Sequence, residues 1–180
     1  LVVVVGCFIG EYLFYQFDIF LSSPLQLLKI WQGGMSIHGG FLGFLFSTWL
    51  FCKKYNKNIY DITDLAVIPT SIALIFGRVA NFINSELVGR VTNVPWCVNF
   101  PNAPYPSDRV GCRHPSQLYE AIKNIVISTI LMFRFSAVDF RKRRSGELTW
   151  LFVFLYGLLR TVATIWRDDP TWFFGILSTG

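Results

Sequence analysis

Leu65-Ala66-Val67-Ile68-Pro69-Thr70-Ser71-Ile72-Ala73-Leu74-Ile75-Phe76-Gly77-Arg78-Val79-Ala80-Asn81-Phe82-Ile83-Asn84-Ser85-Glu86 is the stretch on which the fold turns. Leu65–Phe76 carries no charged residue, and the wider segment Asp64–Asn84 is long enough to cross the ~30 Å hydrocarbon core of a bilayer as a helix. Arg78 and Asn81 therefore stand near the end of a membrane-spanning segment. Charge at that depth costs a few kcal/mol or more, so such residues face a cavity and serve a ligand.

The rest of the chain agrees with this solvent. Of its 180 residues 53% are hydrophobic and 15% charged, against ~25% charged in ordinary soluble domains. Mean hydropathy is +0.46. The net charge of +5 is concentrated in two clusters, Lys53, Lys54 and Lys57, and Arg141, Lys142, Arg143 and Arg144. Each follows an apolar run, so the positive-inside rule accounts for them and nucleic-acid binding is not expected.

The expected fold class is all-α, a polytopic helical membrane protein with a single integral domain over residues 1–180. About five transmembrane helices are read: Leu1–Phe17 (interrupted by Glu11), Met35–Cys52, Asp64–Asn84, Leu118–Val138 and Leu148–Trp166. Asp168-Asp169-Pro170 closes the last. Phe20–Gln32, with Pro24 and the amphipathic Leu25–Trp31, reads as an interfacial or re-entrant segment. Leu87–Gln117 is one long loop. The apolar openings at Leu1 and Gly180 predict a chain truncated at both ends. Cys7 and Cys52 read as packing residues; Cys97 and Cys112 share the loop, and their spacing alone does not decide whether they pair.

Placing both basic clusters in the cytoplasm puts the long loop on the opposite, extracytoplasmic face. Four polar sites then meet at one membrane depth: Ser36-Ile37-His38-Gly39-Gly40, Arg78 with Asn81, His114-Pro115-Ser116-Gln117, and Arg160. Arg78 and Asn81 share a helix face, as do Tyr156 and Arg160. Two arginines approaching one cavity repel unless an anion lies between them. A phosphate suits the planar guanidinium fork, and at the membrane surface the abundant phosphate is a lipid headgroup. The competing reading pairs each arginine with a carboxylate such as Glu86 or Glu120. Glycines around His38 permit close approach of a substrate or another backbone; a histidine there is suited to taking a proton from a thiol or alcohol, the competing and commoner reading of a lone histidine being a hydrogen-bonded interfacial residue. His114 reads as a loop-to-helix junction. Metal-ligand spacing, nucleotide fingerprints and a nucleophile elbow are all missing from the sequence.

Gly34–Gly40, Gly77–Arg90, Arg113–Glu120 and Tyr156-Gly157-Leu158-Leu159-Arg160 closely resemble, in order and spacing, the bacterial prolipoprotein diacylglyceryl transferases. The resemblance implies an enzyme, a multi-pass protein of the bacterial plasma (inner) membrane with its active site toward the extracytoplasmic face. It implies transfer of the diacylglyceryl group of phosphatidylglycerol to the lipobox cysteine in the signal peptide of a preprolipoprotein. Glycerol phosphate leaves, and this is the first step of lipoprotein biosynthesis by protein lipidation. The partners implied are phosphatidylglycerol, the preprolipoprotein and membrane lipid, with no cofactor, metal or nucleic acid. By the same resemblance His38, Arg160 and Tyr156 are catalytic, and Arg78, Asn81, Glu86 and Gly89 bind substrate. The family pattern has further helices before Leu1 and after Gly180, an arginine near Cys7 or Phe8, and a glycine where Ser85 stands. An inactive fragment or noncatalytic paralogue, and an anion-binding membrane transporter, are the alternative readings.

Overall fold

The computed structural model describes residues 2–14, 36–101, 103, 111–138, 144–168, 171–172 and 177–178. The expected interfacial segment Phe20–Gln32 and the basic residues Arg141, Lys142 and Arg143 lie outside the described residues, as does Pro170. The described helices are α1 (Val2–Phe14), α2 (Ile37–Tyr55), α3 (Ile59–Ile83), α4 (Ser116–Ala137) and α5 (Glu147–Ala163), the last continued by a single 3-10 turn, Thr164–Trp166. A two-residue antiparallel pair, β1 (Thr171–Trp172) with β2 (Leu177–Ser178), adds the one sheet among the described residues. The molecule is therefore helical, as expected. Ile59–Ile83 and Glu147–Trp166 are long and apolar enough to cross a membrane.

The described chain packs as two compact units, residues 1–62 and 63–180. In the first, α1 and α2 approach through glycines spaced four apart, Gly6 and Gly10 against Gly39 and Gly43. A Cβ on Gly10 would lie 2.5 Å from the Cα of Gly39, and one on Gly6 would lie 2.6 Å from the Gly39 carbonyl oxygen. This small-residue seam lets the two backbones approach closely. Ser36 starts α2: its hydroxyl accepts from the Gly39 amide at 3.3 Å, and its own amide donates to the Cys7 carbonyl at 3.1 Å. Asn56, at φ 51°, ends the helix in the left-handed conformation. Lys53 and Lys54 occupy the last turn, where cations suit the helix dipole.

The second unit is built inside out relative to a soluble domain. Phe76, Phe133 and Phe154 are 70%, 74% and 64% exposed, whereas Ser71 and Glu120 are each 1% exposed and hydrogen-bonded. Apolar side chains outside and bonded polar groups inside are what a lipid solvent selects. α4 displays the pattern best. Its buried residues recur every three or four positions, beginning polar (Ser116, Gln117, Glu120, Lys123, Asn124) and ending mostly apolar (Ile127, Ser128, Leu131). Ile127 and Leu131 join Val67 of α3 and Leu148 of α5 in the apolar core.

Asp64, expected to begin a span, is a buried cap for a different helix. Its carboxylate accepts from the Gly146 amide at 3.0 Å, the Thr149 amide at 2.8 Å and the Thr149 hydroxyl at 2.6 Å. These satisfy orphan donors at the start of α5 and place a negative charge at the positive end of its dipole. The helix that carries Asp64 starts earlier, at Ile59, with Asp61 in its first turn.

The long loop is stapled by a Cys97–Cys112 disulfide, the pairing that spacing alone left undecided. Isolated bridges join Val91 and Val98 to Arg113, and Gly89 to Arg167. The last of these carries the start of the loop onto the end of α5.

Candidate functional site

The site is assembled around Glu120, one turn into α4. Its carboxylate is 1% exposed and receives four cations from three helices and the segment after α5. Oε2 accepts from Lys123 Nζ at 2.6 Å and stands 3.9 Å from Arg78 Nε. Oε1 is hydrogen-bonded by Arg160 Nη1 and stands 3.7 Å from Arg167 Nη1. Lys123 Nζ also lies over the Tyr156 ring, 4.1 Å from its centroid. Tyr156 and Arg160 are successive on one face of α5, and Phe152 packs on Tyr156 with ring centroids 5.6 Å apart.

Four cations thus contact one carboxylate among the described residues. Such an excess in a low-dielectric interior is stable only with further anions, and it creates a strong positive potential where the cations open outward. The Arg78 and Arg160 side chains are 15% and 16% exposed, while those of Lys123 and Arg167 are 6% and 4%. The two arginines are thus the more accessible members of the cluster. The competing sequence reading, each arginine on a carboxylate, is met by Glu120, which both arginines share; Glu86 bonds Asn81.

Glu86 belongs to a turn that closes the end of α3. Asn81 Nδ2 donates to Glu86 Oε2 at 2.8 Å, and the Glu86 amide donates to the Asn81 carbonyl at 2.9 Å. Ser85 and Leu87, on either side, adopt φ of 58° and 53°. A left-handed residue before Glu86 explains the glycine expected in the family pattern; serine there costs roughly 1 kcal/mol. The start of α4 holds this turn: Gln117 Nε2 donates to the Glu86 carbonyl at 2.7 Å and the Ser116 hydroxyl to that of Leu87 at 3.0 Å.

Gly89 follows in a crowded place. Its amide donates to the His114 carbonyl at 3.2 Å, and its carbonyl accepts from the buried Arg113 Nη1 at 2.8 Å. A Cβ there would lie 2.6 Å from the Trp166 carbonyl oxygen and 2.9 Å from the His114 Cβ. Arg113 also pairs with Asp168 at 2.8 Å, and Arg90 Nε donates to the Arg167 carbonyl at 2.8 Å. These bonds fix the backbone that presents Arg167 to Glu120. His114, at the loop-to-helix junction as expected, lies with Nδ1 3.2 Å from the Tyr119 hydroxyl.

Of the residues singled out from sequence, Arg78, Asn81, Glu86, Gly89, Tyr156 and Arg160 belong to the second unit, and Arg78, Arg160 and Tyr156 meet around Glu120 and Lys123. His38 belongs to the first, exposed on the opening turn of α2. Its neighbour Gly39 faces the α1 backbone, so close backbone approach is the use made of that glycine. Sequence reading gave no role to Lys123 and Arg167. The opposite charges of Glu120 and Lys123 three residues apart inside an apolar segment were the available signal; Arg167, beside Asp168 past the span, had none.

Apolar outer faces around a bonded polar interior define a helical membrane protein, here with a cation-rich cluster inside. A family model described as prolipoprotein diacylglyceryl transferase matches residues 1–180, and the chain belongs to that family. It is 43% identical over 169 residues to the phosphatidylglycerol–prolipoprotein diacylglyceryl transferase of Coxiella burnetii, covering 93% of this chain and 61% of that protein. It is 41% identical to the protein of the same name from Solidesulfovibrio magneticus, covering 93% of this chain and 62% of the relative. The Xanthomonas euvesicatoria protein of that name is 38% identical over 185 residues, again with 62% of its length covered. The chain thus spans about three fifths of the length of these relatives.

Proposed function

We propose that the protein transfers the diacylglyceryl group of phosphatidylglycerol to the lipobox cysteine thiol of preprolipoproteins at the extracytoplasmic face of the bacterial inner membrane. The observation that carries this reading is the cluster of four cations on one buried carboxylate, from which Arg78 and Arg160 reach outward. Family membership supplies the reaction; the cluster supplies a seat for the anion that the reaction must bind and release. The multi-pass topology with about five spans in this chain belongs to the same proposal. The Cys97–Cys112 disulfide supports it, because disulfides persist in oxidising compartments.

The reaction is displacement at carbon. The cysteine thiol, with a solution pKa of about 8.5, gives its proton to a base, for which His38 is the proposed residue. The sulfur lone pair forms a carbon–sulfur bond at the glycerol carbon bearing the phosphate ester. The carbon–oxygen bond breaks, its electron pair goes to the phosphate oxygen, and glycerol phosphate leaves. Arg78 binds the headgroup phosphate and Arg160 stabilises the charge that develops on the departing oxygen. Tyr156 supports Arg160 from the same helix face, and Asn81, Glu86 and Gly89 shape the substrate side.

Expression of the protein in a bacterial strain depleted of its own diacylglyceryl transferase tests the reading. Rescue of growth with lipid-modified prolipoprotein is expected, and Arg78→Lys is expected to lower transfer at least about tenfold, because lysine keeps the charge but loses the bidentate fork. Failure of the well-expressed protein to rescue favours an inactive fragment or a noncatalytic paralogue. Near-normal transfer by Arg78→Lys contradicts bidentate headgroup binding.

A further inference from the structure

The two oxygens of Glu120 take two cations each, at unequal distances. Each has one close and one distant partner: Lys123 at 2.6 Å and Arg78 at 3.9 Å on Oε2, Arg160 and the more distant Arg167 on Oε1. A nitrogen 3.9 Å from oxygen lies beyond hydrogen-bonding distance, which ends near 3.2 Å. Arg78 is therefore attracted to the carboxylate without being captured by it. Lys123 is the group that holds the place. It shares a face of α4 with Glu120, its side chain is 6% exposed, and the Tyr156 ring fixes its ammonium from the other side.

We propose that Lys123 is a positioning residue that saturates Glu120 Oε2 and so keeps the Arg78 guanidinium open to an anionic headgroup phosphate. The inference rests on the function proposed above. Without the lysine, Oε2 becomes a buried acceptor with no close donor, an expensive state. Arg78 is the nearest remaining cation on that oxygen, and a short side-chain movement brings it into hydrogen-bonding range. A guanidinium neutralised by its own carboxylate binds phosphate less well. Lys123 thus acts on the ligand through Glu120 and Arg78.

The test is a titration of the protein in detergent micelles with sn-glycerol 1-phosphate, read by thermal stabilisation, together with the KM for phosphatidylglycerol. Lys123→Met is expected to weaken the glycerol phosphate affinity and raise the KM about tenfold, a coupling of ordinary size. Lys123→Arg, which retains a donor for Oε2, is expected to restore both to within about twofold. In a Glu120→Gln background, Lys123→Met is expected to have no further effect, since the negative charge that would capture Arg78 is gone. Should Lys123→Met fold poorly, Lys123→Gln is compared in both backgrounds instead, with the same expectations at smaller size. An equal loss in both backgrounds overturns the proposal by assigning the lysine direct contact with the anion. Unchanged affinity on removal of the lysine overturns it, as does absence of glycerol phosphate binding by the unsubstituted protein. The titration needs no turnover, so failure of the unsubstituted protein to transfer diacylglyceryl contradicts the function reading alone.

Discussion

Arg160→Ala is expected to lower the turnover number for diacylglyceryl transfer by about three orders of magnitude, the upper range for removing one donor from a developing oxyanion. The effect is large because the residue has two tasks. It hydrogen-bonds Glu120 Oε1, and it is one of the two more accessible members of the cluster. On the proposed mechanism, removing it takes a charge from the leaving phosphate; it also leaves Oε1 with Arg167 at 3.7 Å as its remaining cation contact among the described residues. The fold should survive, since the core contacts of α5 are made by Leu148, Leu151, Leu155 and Leu159. Kinetics on a lipobox peptide with phosphatidylglycerol, beside a thermal melt of the variant, check both parts. A folded variant within about tenfold of the unsubstituted turnover removes Arg160 from the transition state.

Gly89→Ala is expected to be nearly as damaging by another route. The added methyl has no space: it meets two backbone carbonyl oxygens and the His114 Cβ. Gly89 does not have a positive φ, so the cost is one of volume and not of backbone conformation. Overpacking against backbone costs about 3 kcal/mol where side chains cannot yield. Separating the loop from Trp166 would also shift Arg167 away from Glu120. A melting temperature several degrees lower and a loss of transfer are expected together. An unchanged melting temperature with lost transfer would instead assign Gly89 to direct substrate contact, as the family resemblance suggests.

What the sequence disclosed was whatever lies along one helix. The uncharged run before Arg78 announced α3, and the apolar stretch around Arg160 announced α5, because length and hydropathy are local properties. The same logic misjudged the start of α3. Asp64 read as the edge of a span, but Asp61 is favourable in a first turn and Asp64 is used by α5. That partnership connects positions 82 and 85 residues apart, which no local pattern encodes.

The site divides in the same way. Shared faces such as Arg78 with Asn81 and Tyr156 with Arg160 were readable from spacing. The meeting of Arg78, Lys123, Arg160 and Arg167 on Glu120 depends on how α3, α4 and α5 pack. Charge arithmetic foresaw that two arginines need an anion between them. The resident anion is the protein's own carboxylate, with four cations around it, and the proposed function adds a headgroup phosphate as a second.

The central claim is tested most directly by incubating the purified protein with phosphatidylglycerol and a synthetic lipobox peptide and measuring the peptide mass. The account predicts a mass increase of one diacylglyceryl group, thioether-linked to the lipobox cysteine, with glycerol phosphate released in equal amount. An unmodified peptide in the presence of folded protein, with phosphatidylglycerol intact, would contradict it.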